Sequence, residues 1–218
     1  MPQLPVPVEQ RLLLAAKKLF ASQGFENTTT AAIARAAGTS ESQLVKYFGN
    51  KEGLLVKIFE AGWKQMDFVY TAASVSETPL EALRVVFELL IKLLTEDRAL
   101  RDLMLFEGRR IRGKGNTVLV TSGYFRLYSE VTRLLRELLR DSPLQQRLRP
   151  EAIASGFIGM LESMLRDQAM NERKTGETDP KPEEIRAMFQ LFTVSLRDAA
   201  QADANVQGAI KQNSNSIV

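Results

Sequence analysis

Residues 28–55 read TTTAAIARAAGTSESQLVKYFGNKEGLL. Two short helices and a tight turn account for this order. Thr28, Thr29 and Thr30 offer hydroxyls for a helix N-cap. AAIARAAG then places Ile33, Ala34 and Ala37 on one face of a short helix. Gly38 ends it, where a left-handed residue is wanted. Ser40 can cap a second helix, ESQLVKYF, in which Leu44, Tyr47 and Phe48 share a face at i, i+3, i+4 spacing. Ala34 and Gly38 are small enough for the two helices to cross closely. This is the sequence shape of a helix-turn-helix that reads DNA.

A recognition helix must present short polar groups near its N-terminus and cations toward the phosphates. Thr39, Ser40, Ser42, Gln43 and Lys46 lie away from the Leu44 side. Gln43 is the strongest candidate base reader, because its amide pairs bidentately with adenine, and Lys46 reaches a guanine edge or a phosphate. Thr30 can offer a hydroxyl and a backbone N–H to a phosphate, and Lys51, one turn into the next helix, can reach the DNA backbone. Glu41 faces the same side and repels phosphate unless it accepts from a cytosine amine. The alternative is a helical hairpin that merely packs; for Tyr47 this means a ring in the core with only its hydroxyl outside.

Residues 8–60 resemble the DNA-binding domain of the TetR/AcrR family of bacterial transcriptional regulators. The resemblance rests on LF-x-x-x-GF at the end of the first helix, a threonine before the second, IA-x-x-AG, S-x-x-x-L and YF-x-NKE-x-L. It implies that Thr30, Ser40, Ser42, Gln43, Tyr47 and Lys51 stand where family members touch DNA, Tyr47 against a phosphate. Ser42 stands where a glycine is usual, and Val45 where a tyrosine usually contacts DNA. The rest of the chain resembles the family in being helical and of suitable length.

The chain has no cysteine and no histidine, which excludes disulfides, thiolate or imidazole metal sites and Ser-His-Asp or Cys-His catalysis. No cofactor is expected, and an enzyme on a helical bundle is the weakest of the readings, since no Glu-x-x-His pattern is present. A net charge of +3 is compatible with nucleic acid and equally with an ordinary soluble protein. MPQLPVPVEQRLLLAAKK is not read as a signal peptide, because Glu9 and Arg11 precede its short apolar run, and VVFELLIKLL is interrupted by Glu88 and Lys92. A cytoplasmic location is expected.

Apolar periodicity predicts an all-α fold of about nine helices. The first spans Val8–Gln23, stopped by Gly24, with Phe25 plugging a three-helix core. Asn50 caps a long helix reaching about Thr71, and Thr78-Pro79 opens another that is apolar nearly all round. Further helices are expected over about Asp97–Arg112, about Thr117–Arg140, from Pro150, and over about Pro182–Ala202. RRIRGKGN is a basic turn that either contacts phosphate or is simply solvated. The expected domains are a helix-turn-helix domain over residues 1–52, a helical effector-binding and dimerisation domain over 53–203, and a disordered tail over 204–218.

Two helices with aromatic and methionine stripes carry more apolar face than a peripheral pair needs: Ile153, Phe157, Met160 and Met164 on one, Phe189 and Phe192 on the other. The resemblance implies that they form a four-helix bundle with a second copy, Gly156 and Gly159 allowing close approach; the alternative is that the stripes form an intramolecular core, or that the glycines only fit a bulky neighbour. It also implies that the helices after the DNA-binding domain enclose a small molecule. Candidates to line that site are Trp63, Phe87, Met104, Phe106, Tyr124, Phe125, Tyr128 and Met160, with Glu107 or Arg109 to orient a polar group; taken singly, each reads first as ordinary core. The expected partners are an operator in double-stranded DNA, a small hydrophobic effector and a second copy of the chain. The expected function is a ligand-responsive regulator of transcription, a repressor. The alternative is a helix-turn-helix protein controlled by a protein partner, or one that organises DNA without a ligand.

Overall fold

The computed structural model describes residues 6–108, 110–112, 117–118, 122–140, 142, 144–176 and 182–215. It is all-α: α1 (Val8–Gln23), α2 (Thr30–Ala36), α3 (Glu41–Phe48), α4 (Lys51–Lys64), α5 (Met66–Ser74), α6 (Pro79–Glu96), α7 (Arg98–Phe106), α8 (Ser122–Leu138), α9 (Leu144–Arg147), α10 (Pro150–Thr175) and α11 (Pro182–Asn215). Between α7 and α8 lies a two-residue antiparallel ladder, β1 (Ile111–Arg112) on β2 (Thr117–Val118), with Ile111 opposite Val118. No helix among the described residues is long and apolar enough to cross a membrane.

The eleven helices among the described residues exceed the nine expected, for identifiable reasons. The helix capped by Asn50 stops at Lys64, where Gln65 N–H turns back to the Gly62 carbonyl in a tighter, three-residue step, and α5 starts afresh. The helix expected over Asp97–Arg112 ends at Phe106. Asp97 is its N-cap, accepting from Leu100 N–H at 3.0 Å, and Gly108 N–H closes it on the Leu103 carbonyl. The single turn α9 is too short to leave a periodic trace in the sequence. At the C-terminal end α11 runs past Ala202 to Asn215, through the segment expected as a disordered tail; that stretch lacks proline. Arg109 and residues 113–116 of the basic turn lie outside the described residues.

The chain divides into two compact units, one of Met1–Phe68 with Leu89–Phe125, the other of Val69–Glu88 with Arg126–Val218. The first unit is built on the helix-turn-helix. Leu12, Ala16 and Phe20 of α1 meet Phe25, Ile33, Leu44 and Phe48, all buried. Phe25 closes this core as expected, its ring centroid 5.0 Å from that of Phe20. The core does not end there: Leu54, Leu55, Ile58 and Phe59 of α4 belong to it, and so do Leu100 and Leu103 of α7. Gly62 permits that approach, since a Cβ at this position would lie 2.6 Å from Leu100 Cδ2. Lys17 Nζ donates to the Asp97 carboxylate at 2.6 Å beside it.

The second unit has an aromatic centre. Phe87 of α6 stacks on Phe189 of α11, centroids 4.1 Å apart, and Phe157 of α10 lies 5.5 Å from both Phe189 and Phe192. Tyr128 of α8 donates to the Glu151 carbonyl at 2.9 Å, and Arg136 pairs with the Glu151 side chain at 2.7 Å, fixing α8 to the start of α10.

Candidate nucleic-acid interface

The turn between α2 and α3 is set by backbone hydrogen bonds. Gly38, at φ +61°, donates to the Arg35 carbonyl, and Thr39 N–H reaches back to Ala34 at 2.9 Å. This pair of bonds satisfies the last carbonyls of α2 and needs a left-handed residue at Gly38. Of the three threonines before α2, Thr29 is the cap, accepting from Ala32 N–H at 3.1 Å. Thr28 is buried and donates to the Gly24 carbonyl at 2.8 Å, tying the loop to the end of α1. Asn50 caps α4 as expected, accepting from Gly53 N–H at 2.7 Å.

With that turn fixed, α3 has two sides. Leu44 is fully buried and Phe48 nearly so, whereas Ser40, Glu41, Ser42, Val45 and Lys46 are exposed. Gln43 and Thr39 are half-buried. Tyr47 is 42% exposed, so its ring stands at the edge of the core face and not in the core with Leu44 and Phe48. The Lys46 ammonium lies 5.9 Å from the Tyr47 ring centroid. Ser40 occupies the N-cap position, but its hydroxyl makes no cap; it pairs with the Ser42 hydroxyl at 2.8 Å. The first turn of α3 therefore carries two adjacent hydroxyls, followed by an amide and an ammonium. These groups match the donors and acceptors on base edges and phosphates.

Two candidates have partners the sequence did not suggest. Thr30, half-buried, donates its hydroxyl to the Glu41 carboxylate at 2.5 Å, joining the starts of α2 and α3. Lys51 folds its ammonium over the Phe25 ring, 4.4 Å from the centroid, and donates to the carbonyls of Phe25, Thr28 and Glu26 at 2.8, 3.1 and 3.4 Å. Its donors hold the loop before α2. An i, i+4 or cap pattern betrays neither contact, because both join residues distant in sequence.

The effector candidates fall in both units. In the first, the Trp63 and Tyr124 rings meet edge to face at 6.4 Å, Met104 packs against the helix-turn-helix core, and Phe106 is half-buried. Phe125 is 59% exposed, and Glu107, buried, pairs with Arg110 at 3.2 Å. In the second, Phe87 is part of the aromatic centre, Tyr128 is bonded to α10, and Met160 is half-buried.

The residues chosen for pairing with a second copy point mostly inward. Ile153, Phe157 and Phe189 are buried within the single chain, and Met160, Met164 and Phe192 are half-buried. The opposite faces hold Ser155, Gly156, Gly159 and Ser163 on α10, and Met188, Leu191 and Val194 on α11, all exposed. Nothing lies within 4 Å of where a Cβ would stand on Gly156 or Gly159. Met188, Leu191 and Val194 form a second apolar stripe on α11, at i, i+3, i+6, beside the phenylalanines.

Residues 12–58 match the family model described as bacterial regulatory proteins, tetR family. The nucleoid occlusion factor SlmA of Vibrio cholerae is 24% identical over 170 residues, covering 72% of this chain and 81% of its own. The fatty acid degradation regulator FadR from Bacillus halodurans shares the fold with a TM-score of 0.68 at 21% identity, over 79% of this chain and 89% of that one. The TetR family transcriptional regulator PfmR from Thermus thermophilus does so with a TM-score of 0.63 at 23% identity, over 84% and 96%. Residues 12–58 thus carry the helix-turn-helix domain of the bacterial regulatory proteins of the tetR family, and the chain shares its fold along most of its length with regulators of that family.

Proposed function

We propose that this chain is a transcriptional repressor that reads a palindromic operator as a dimer and is released from it by a small hydrophobic effector. The observation that carries the reading is the division of α3. Leu44 and Phe48 fix the helix to the core, and Ser40, Ser42, Lys46 and Tyr47 are left exposed, with Gln43 half-buried between them. Gln43 and Lys46 serve as base readers, and Tyr47, Thr30 and Thr39 as phosphate contacts. Lys51 positions the loop that leads into α2, whose first residue is Thr30.

One short helix reads few bases, so a dimer that spaces two copies ~34–36 Å apart is needed for a unique site. The small and aliphatic faces of α10 and α11 supply the pairing surface, with Gly156 and Gly159 allowing the helices of two copies to approach closely. Residues 1–52 then bind DNA, and residues 53–203 hold the effector and the dimer contact. Trp63, Met104, Phe106 and Tyr124 are the first residues to probe for effector contact. The fold is shared with a fatty acid degradation regulator, so long-chain acyl compounds are the first class to try. Release follows if the effector binds better to the conformer whose recognition helices are mis-spaced.

Replacing Gln43 with alanine tests the base-reading assignment. The variant is expected to lose about 1–3 kcal/mol at one base pair of the selected site and to tolerate any base there, measured by fluorescence anisotropy against single-base variants of the site. Unaltered discrimination at every position would remove Gln43 from the reading surface.

A second reading has one observation in its favour, the likeness to a nucleoid occlusion factor. In that reading the chain organises DNA, or answers to a protein partner, without a small effector. Many dispersed genomic sites and no response to acyl compounds would favour it over control of a neighbouring gene.

A further inference from the structure

We propose that Glu41 is a specificity-determining residue: its carboxylate occupies the Thr30 hydroxyl in the free protein and gives it up to a phosphate only where a cytosine edge receives the carboxylate instead. The inference rests on the reading of α3 as a DNA-contacting helix. It starts from the hydrogen bond between Thr30 Oγ1 and Glu41 Oε2, which spans the starts of α2 and α3 on the polar side of the helix-turn-helix.

A hydroxyl has one proton to donate. While Thr30 donates to Glu41 it cannot donate to a phosphate oxygen, and a phosphate that approaches this hydroxyl meets the exposed carboxylate bonded to it. Lys51 does not offset this with donors of its own, since its ammonium is directed to three main-chain carbonyls of the preceding loop. Both groups that would otherwise grip a phosphate at this end of α2 are thus bonded within the protein. Random DNA must break the Thr30–Glu41 bond and bring a phosphate toward an unpaired carboxylate. At the right site the carboxylate, carried on the first residue of α3, accepts from the N4 amine of cytosine in the major groove. The Thr30 hydroxyl then turns to the phosphate. A guanine or thymine edge at that position presents acceptors to the carboxylate, adenine sets its N7 acceptor beside its N6 amine, and each leaves the seat less readily freed than cytosine does.

The test measures binding of the full chain to a random-sequence duplex and to a site selected from genomic DNA, both at low salt. Glu41→Ala and Glu41→Gln are expected to raise affinity for the random duplex about tenfold, to lower the ratio of selected to random affinity by about the same factor, and to abolish the preference for cytosine at one position. In a Thr30→Val background the gain from Glu41→Ala is expected to shrink below about twofold, because the hydroxyl it frees is gone. A gain of full size in that background would show repulsion at a distance with no blocked seat, and would overturn the proposal. No gain in either Glu41 variant would overturn it as well, provided the melting curves match wild type. Failure of the wild-type chain to bind either duplex would instead remove the DNA reading on which the proposal stands.

Discussion

Leu44→Ala is expected to destabilise the first unit by about 2–5 kcal/mol and to remove site-specific DNA binding with it. Leu44 is fully buried in the centre of α3, within the cluster formed by Phe20, Phe25, Ile33 and Leu55. An eight-residue helix has too few internal hydrogen bonds to persist alone, so α3 exists because this side chain and Phe48 hold it. Truncation to alanine removes the transfer energy of the isobutyl group and leaves a cavity that the surrounding helices fill only in part. Urea unfolding of the variant reads the stability change, and anisotropy against the selected duplex reads the loss of binding. The neighbouring Gln43→Ala change is expected to leave the unfolding free energy within about 0.5 kcal/mol of wild type while altering base preference. If the two variants unfolded alike, the assignment of the two sides of α3 would be wrong.

Leu191→Arg is expected to convert the chain to a monomer at micromolar concentration and to lower operator affinity by about a hundredfold or more. Leu191 is 65% exposed in the single chain, so the substitution leaves the aromatic centre of its unit intact. In a two-fold symmetric pairing every patch meets its own copy, and an arginine introduced near the axis meets a second arginine. The loss of affinity follows from effective concentration: two tethered half-site readers gain a factor of roughly 10²–10⁴ over one. Sedimentation velocity measures the first effect and anisotropy against full and half operators the second. A variant that stays dimeric and binds like wild type would place the pairing surface elsewhere than on Met188, Leu191 and Val194.

The sequence was most legible where local physics decides. The bounds of α1, the left-handed Gly38, the Asn50 cap and the closure of the core by Phe25 all follow from periodicity and from single-residue backbone preferences, and the structure has them. It was least legible where several residues of one type compete or where a contact joins distant segments. Any of three successive threonines could cap α2; burial of Thr28 and the partner of Thr30 decide for Thr29. Ser40 looked like a cap because serines usually are, yet Ser42 two residues on takes its hydroxyl. Lys51 reads as a candidate DNA contact because a lysine near a recognition helix is an obvious cation; the three carbonyls that the fold brings to it have no trace in the sequence.

The pairing surface proposed above is hard to read from sequence for a related reason. Phenylalanines are the strongest apolar signal on α10 and α11, and a chain buries its strongest apolar residues in its own core first. What remains outside is small or aliphatic: Gly156, Gly159, Met188, Leu191 and Val194. The reach of the first unit was hidden as well. Leu100 and Leu103 join the helix-turn-helix core from a helix far along the chain, and the only trace of this in the sequence is a glycine, Gly62, facing a leucine that it cannot name.

The central claim is that two copies of α3 read one palindromic site. Selection of bound fragments from sheared genomic DNA at moderate salt tests it most directly, repeated after unfolding and refolding the protein to strip any ligand carried through purification. The account predicts recovery of one inverted repeat whose half-sites are one helical turn, or a multiple of it, apart, with an adenine in each half that Gln43→Ala ceases to prefer. Recovery of sequences with no shared repeat, by the refolded protein as much as by the original, would contradict it.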